Sequence, residues 1–274
     1  MRVVSLIPLA VEGLGRLYRN RGLTLALAKR EVTDRYTRQM LGSVWAIGHP
    51  LVHVLVFIFL FRIVLNLRVD ATREMPLDYT AYLLSGLIPW LAIQEALGKS
   101  STVITASASL VKQVVFPLEV LPVKSVLVCF VTQIVGTVCL AIYVLIASGG
   151  LPETYALLPV LWILHMLVMV GIVFAVSALG VYIRDIKELV QVFAVVGIYL
   201  VPVVYLPEWV PSQIRPILEF NPFSHMIWCY QDALYFGRFE HPWSWLIFGV
   251  GAIVSFVLGL GLFRRLQTHF GSVL

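Results

Sequence analysis

A helix needs about 20 apolar residues, at about 1.5 Å each, to cross a hydrocarbon layer about 30 Å thick. Six stretches of this chain reach or approach that length: 44–65, 79–97, 119–147, 156–183, 191–205 and 243–263. A soluble fold could not hide them all. The chain is 59% hydrophobic and only 13% charged, against about 25% charged in ordinary soluble domains. The expectation is an all-α integral membrane protein with six transmembrane helices. The fifth stretch is short and ends at Pro202 and Pro207, so it is expected to stop inside the bilayer.

The basic residues then set an orientation. With the N-terminus placed in the cytoplasm, fifteen of the 20 Lys and Arg residues fall on the inner side, and only Arg62, Arg68, Arg73, Arg215 and Arg238 remain outside. Positive charge gathers on the cytoplasmic side of membrane proteins, and an even number of spans returns the C-terminus there. The net charge of +5 therefore speaks to orientation and anionic lipid rather than to nucleic acid. Residues 1–22 do not read as a signal peptide. Their apolar run is broken by Pro8, closed by Glu12 and followed by Arg16, Arg19 and Arg21, with no small-residue cleavage site. They are expected to be retained, cytoplasmic and partly interfacial.

Residues 1–43 thus form a cytoplasmic N-terminal segment ahead of one transmembrane domain, 44–274. Within 29–41, Arg30, Asp34 and Arg38 share one helical face, while Val32, Tyr36 and Met40 repeat on another. This describes an amphipathic interface helix lying along the membrane, with its basic side toward lipid phosphates. Between the second and third spans, 98–117 is long enough for a short cytoplasmic helix. Gly98-Lys99-Ser100 looks like the tail of a phosphate-binding loop, but that motif needs a glycine where Ile93 stands. A short helix of small residues docking on a partner protein is the better reading. Between the fourth and fifth spans lies a charged turn, 184–188.

Residues 206–242 are too apolar for free solution, yet Pro207, Pro211, Pro216 and Pro222 forbid one long helix. Two short helices, 208–219 and 222–236, re-entering the membrane from outside satisfy both facts. Such a pair suits an outer gate over a conduit; an interfacial aromatic belt is the alternative. Inside the spans, His49 and His53 have chelating spacing but no Cys or carboxylate beside them to complete a metal site. With Gln133 and His165 they are read as path-lining or helix-to-helix hydrogen-bonding groups. Gly251, Ser255 and Gly259 give the last span a small-residue face suited to close helix packing or a subunit contact. The three cysteines are read as buried apolar residues, and no nucleophile motif or cofactor site stands out.

Four blocks in order, RYTRQMLGSVWAIGHPL (35–51), VKQVVFPLEVLPVKSV (111–126), RDIKEL (184–189) and LEFNPFSHMIWCYQDALY (218–235), resemble the ABC-2 type permeases that export polysaccharides. The likeness is greatest to O-antigen permeases of the Wzm type, with teichoic-acid and capsule exporters as relatives. It covers about residues 25–270. The resemblance implies a permease subunit that is not itself an enzyme. A homodimer would form the conduit in the bacterial inner membrane, two copies of a separate ATP-binding subunit would drive it, and an undecaprenyl-pyrophosphate-linked glycan would cross.

By the same resemblance, Lys29, Arg30, Arg35 and Arg38 of the interface helix would meet pyrophosphate or lipid headgroups, which guanidinium forks match well. The loop 98–117 would hold the coupling helix, with Val103, Ile104 and Leu110, joined by Arg184 and Asp185 of the later turn, near the ATPase. The segment 208–236 would form the paired outer helices. Candidates for the path, where sugar rings would slide without tight binding, are His53, Tyr79, Tyr82, Trp90 and Gln133. Two other classes fit less well. A gradient-driven transporter would want intramembrane carboxylates, whereas Glu95 and Glu119 lie near span ends. A glycolipid-modifying enzyme would show acidic or His clusters on one membrane face. An exporter of another substrate, such as a drug or glycolipid, is the nearest alternative within the family.

Overall fold

The computed structural model describes residues 6–37, 42–64, 76–108 and 116–273. In chain order its helices are α1 (Leu6–Arg19), α2 (Arg21–Thr37), α3 (Trp45–Ile58, continued by a π-helical turn Phe59–Val64), α4 (Tyr79–Ser100), α5 (Val120–Ser148) and α6 (Leu158–Tyr182). There follow α7 (Ile186–Val196), α8 (Arg215–Phe220), α9 (Pro222–Gln231, continued by a π-helical turn Asp232–Phe236), α10 (Pro242–Leu266) and α11 (Phe270–Val273). No strand occurs among the described residues. Three helical stretches among them, Val120–Ser148, Glu153–Tyr182 and Pro242–His269, are long and apolar enough to cross a membrane by length and composition.

Their ends follow local chemistry. Pro122 falls in the first turn of α5, where amides have no helical partner to lose. The same helix closes at Gly149, whose φ of +77° is a left-handed cap that glycine adopts without Cβ strain. Helix α10 opens on Pro242 and carries Arg264 and Arg265 in its last turn, where the helix dipole favours cations.

The absence of side chains sets the tightest packing. A Cβ on Gly259 would fall 2.0 Å from the Gly171 carbonyl oxygen, and one on Gly171 would fall 2.4 Å from the Ser255 backbone. The small-residue face of α10 therefore packs on α6 inside the subunit at Ser255 and Gly259, while nothing lies near Gly251. Helix α4 is the central post, buried without a break from Tyr79 to Trp90, with α5, α6, α7 and α9 around it. At one end of the bundle the last turns of α4, α6 and α10 meet the start of α5 and helices α1 and α2; most of the ion pairs lie here. The opposite end gathers the first turns of α4 and α10 with residues 201–206 and 231–236, and is rich in tyrosine.

Three expectations shift. Helix α7 begins at Ile186 rather than 191, because Lys187 and Glu188 are taken into its first turn. It ends at Val196 and passes through a 3-10 turn, Gly197–Leu200, into non-helical chain at Pro202. The helix expected over 208–219 does not form as one piece: Pro211 and Pro216 break it into a 3-10 turn, Pro207–Trp209, and the six-residue α8. The helix expected over 29–41 starts earlier, as α2 from Arg21, and is described as far as Thr37; residues 38–41 lie outside the described residues. Apolar and polar positions segregate more sharply on α1 than on α2. On α1, Ala10 is buried and Gly13 touches Leu260 of α10.

Candidate functional site

At the charged end, carboxylates near helix termini find cations far away in sequence. Arg264, 6% exposed, reaches Glu119 Oε1 at 2.7 Å and Glu12 Oε1 at 2.5 Å. Glu119 is only 2% exposed, and Gln267 Nε2 also donates to it at 3.5 Å. An ion taken from water needs an opposite charge beside it, so this triad fastens α1, the start of α5 and the end of α10 to one another. The guanidinium of Arg264, helped by that of Arg16, holds the Glu12 carboxyl below the usual carboxylate range.

A second cluster docks α2. Glu95 on α4 pairs with Arg35 at 2.7 Å and with Lys99 at 3.0 Å, and Lys124 on α5 pairs with Glu31 at 2.9 Å. Of the four basic residues assigned to lipid headgroups, Arg35 is thus engaged by Glu95. Lys29 and Arg30 are exposed, Arg30 lying 3.4 Å from Asp34, and Arg38 lies outside the described residues. Glu95 and Glu119, which the sequence offered only as span-end residues, are the anchors of this end. Nothing local signals their partners, because the Glu119–Arg264 pair spans 145 residues.

The chain leaving α4 passes through turns 101–104 into a 3-10 turn, Thr105–Ser107. Ile104 is fully buried and Val103 packs against the core, so these two expected coupling residues are anchors for the segment. Arg184 and Asp185 are exposed, and Leu110 lies outside the described residues. Gly180 draws α6 onto the segment, since a Cβ there would sit 2.5 Å from the Ser101 carbonyl oxygen. Between them opens a cleft of about 190 Å³ lined by Ser101, Thr102, Thr105, Ile183, Arg184 and Lys187, with Gly180 at its wall. The structure thereby joins 101–107 and the turn after α6, which the sequence could only treat separately, into one surface.

The opposite end is held mainly by side-chain hydrogen bonds to backbone carbonyls, with one buried carboxylate among them. Tyr79 donates to the Val204 carbonyl at 2.6 Å, Tyr82 to those of Pro202 and Tyr205 at 3.3 Å each, and Gln231 to Pro202 at 2.8 Å. Tyr235 donates to the Leu77 carbonyl at 2.8 Å. Non-helical backbone in an apolar setting needs such partners. Asp232, 1% exposed, accepts from the His241 amide at 3.1 Å, from His241 Nδ1 at 3.0 Å and from Trp245 Nε1 at 3.0 Å, tying the end of α9 to the start of α10. Sequence reasoning missed Asp232; a lone carboxylate inside an aromatic segment was the available signal.

Midway, Gln133 Nε2 lies 2.8 Å from His165 Nδ1 and donates to the Tyr230 hydroxyl at 2.7 Å, joining α5, α6 and α9. Of the path candidates, Tyr79, Tyr82, Trp90 and Gln133 are all buried within the subunit. Trp90 packs edge-on against Phe223. The His53 side chain, like that of His49, lies outside the described residues.

The ABC-2 type transporter family matches residues 22–235. This chain belongs to that family. As an ABC-2 protein it is a membrane subunit of a transporter. It is 24% identical over 254 residues to the O-antigen export system permease protein RfbA of Klebsiella pneumoniae, covering 92% of this chain and 95% of the relative. It is 26% identical over 259 residues to the protein of the same name from Myxococcus xanthus, covering 93% and 96%. The polysialic acid transport protein KpsM of Escherichia coli is 22% identical over 242 residues, covering 87% and 91%. The match in this ABC-2 chain takes in α2 from residue 22, the 101–107 segment, the 184–188 turn and the tyrosines at 79, 82 and 235, while Glu12, His241, Trp245 and Arg264 lie outside it.

Proposed function

We propose that this chain is the transmembrane subunit of an ATP-driven exporter of lipid-linked polysaccharide. The observation that carries the reading is the extent of the likeness: O-antigen permeases from two organisms each align over more than nine-tenths of both chains. Two copies form the conduit in the bacterial inner membrane. Each contributes six spans: α3 with its π-helical turn, α4, α5, α6, α7 with its 3-10 extension, and α10. Both termini are cytoplasmic, in keeping with the gathering of basic residues at the charged end. The tyrosine-rich end then faces outward, with α8 and α9 as the paired re-entrant helices. Exposed apolar side chains on α3 (Leu55, Phe59) and α7 (Leu189, Val192) suit lipid and the second copy.

Residues 101–107 and 184–188 receive the separate ATP-binding subunit, also in two copies. Arg184 and Asp185 meet it, and Val103 and Ile104 pass its displacement into the core to which they are anchored. Lys29 and Arg30, with Arg38, take the pyrophosphate of an undecaprenyl-linked glycan; Arg35 joins them only on leaving Glu95. Tyr79, Tyr82, Trp90 and Gln133 serve the path by shaping its wall from behind, and His53 on α3 is the candidate for direct contact.

Deleting the gene in its host tests the reading. Surface glycan should be lost and lipid-linked polymer should accumulate on the cytoplasmic leaflet, with the wild-type gene restoring export. Undiminished surface glycan would contradict it. The likeness to KpsM supports a second glycan class, capsule polymer, and the identity of the trapped polymer decides between the two.

A further inference from the structure

We propose that the cleft between 101–107 and 184–187 is a socket for a carboxylate side chain of the ATP-binding subunit; this rests on the reading that such a subunit docks at the charged end. Three observations converge on an anion. Ser101 lines the cleft and is 5% exposed, and its buried hydroxyl has no hydrogen-bond partner among the described residues. The neighbouring hydroxyls are satisfied, that of Thr102 donating to the Lys99 carbonyl and that of Thr105 to the Thr102 carbonyl. A buried hydroxyl left unmade costs about 1–3 kcal/mol, which favours an acceptor arriving from outside.

Arg184 and Lys187 line the same cleft, and neither forms an ion pair among the described residues. Elsewhere at this end, Arg35, Lys99, Lys124 and Arg264 each hold a carboxylate. The cleft itself contains no acidic residue, although Asp185 and Glu188 stand exposed in the same turn. A guanidinium, an ammonium and a hydroxyl donor together match a carboxylate, with charge-assisted bonds stronger than neutral ones. The wall is firm, because the contact of Gly180 with the Ser101 backbone leaves no room for the two segments to approach further. A side chain seated here would press on Ser101 and, through Ile104, on the core. A lipid phosphate is the competing occupant.

The test uses the wild-type complex, purified with its ATP-binding subunit and treated with a zero-length carbodiimide, which joins an amine only to a carboxylate in direct contact. The expected product is a cross-link from Lys187 to an Asp or Glu of the ATP-binding subunit, absent from Lys187→Arg. Arg184→Glu with Lys187→Glu should lower recovery of the ATP-binding subunit at least about tenfold. Ser101→Ala, which disturbs the fold least, should lower it by about threefold. An intact complex in which Lys187 links to no residue of the ATP-binding subunit overturns the socket. So does full recovery by the double reversal, and lost binding to vesicles of anionic phospholipid in that variant would assign the site to lipid phosphate. A wild-type chain that brings down no ATP-binding subunit would contradict the functional reading itself.

Discussion

The two ends of this permease are held by different physics. At the tyrosine-rich end, Tyr79, Tyr82, Tyr235 and Gln231 donate to backbone carbonyls at 77 and 202–205. These bonds are neutral, buried or part-buried, and indifferent to salt. At the charged end, the helices are joined by side-chain ion pairs centred on Glu119, Glu95 and Glu31. Some of these pairs are half-exposed, and a partner protein or a lipid phosphate could exchange with them. One end is braced and the other is adjustable. On the function proposed above, that is the division a subunit would need if it receives force at the charged end and guards an opening at the other.

The sharpest way to break the comparison is Arg264→Met, which leaves Glu119 buried without its cation. Losing one member of a buried pair costs about 3–5 kcal/mol, so thermal unfolding of the purified protein should fall furthest here. Next comes Gly259→Val. Its new side chain would meet the Gly171 backbone, at a cost of about 3 kcal/mol. Because this contact carries no charge, the loss in melting temperature should be equal at low and high salt.

Tyr82→Phe sharpens the other side. It leaves the Pro202 and Tyr205 carbonyls without this donor and should cost about 1 kcal/mol, again independent of salt. Arg35→Gln should cost less than about 1 kcal/mol and, unlike Tyr82→Phe, lose its effect at high salt. The smallest expected effect concerns pH. Because Arg264 lowers the Glu12 carboxyl in the folded chain, its contribution is present above the ordinary carboxylate value of 4.5 and disappears as pH falls through the depressed value. Glu12→Gln should therefore flatten the acid limb of a stability–pH curve.

What the sequence made legible follows from what is local. Helices α5, α6 and α10 announce themselves because composition over 25 or more residues decides them. The small-residue face at Ser255 and Gly259 was visible from spacing alone, although only the structure identifies Gly171 as its counterpart. The starts and stops of α7 and α8 were less legible: charged residues can open a helix, and two prolines divide a segment more finely than they forbid it. Pairings across the fold were not legible at all. Glu95 and Glu119 looked cheap at span ends, yet each captures a cation from another helix. Tyr79 and Tyr82 looked like path residues, since an aromatic hydroxyl near a span end suits sugar; the carbonyls that engage them belong to irregular chain more than 100 residues away.

The central claim, that force enters at the charged end while the tyrosine-rich end stays braced, is tested most directly by amide hydrogen exchange on the assembled transporter with and without ATP. The account predicts that exchange changes in 98–108, 184–188 and α1–α2, while 202–206 and 222–236 keep their protection. Changes confined to 202–206 and 222–236, with the charged end unaltered, would contradict it.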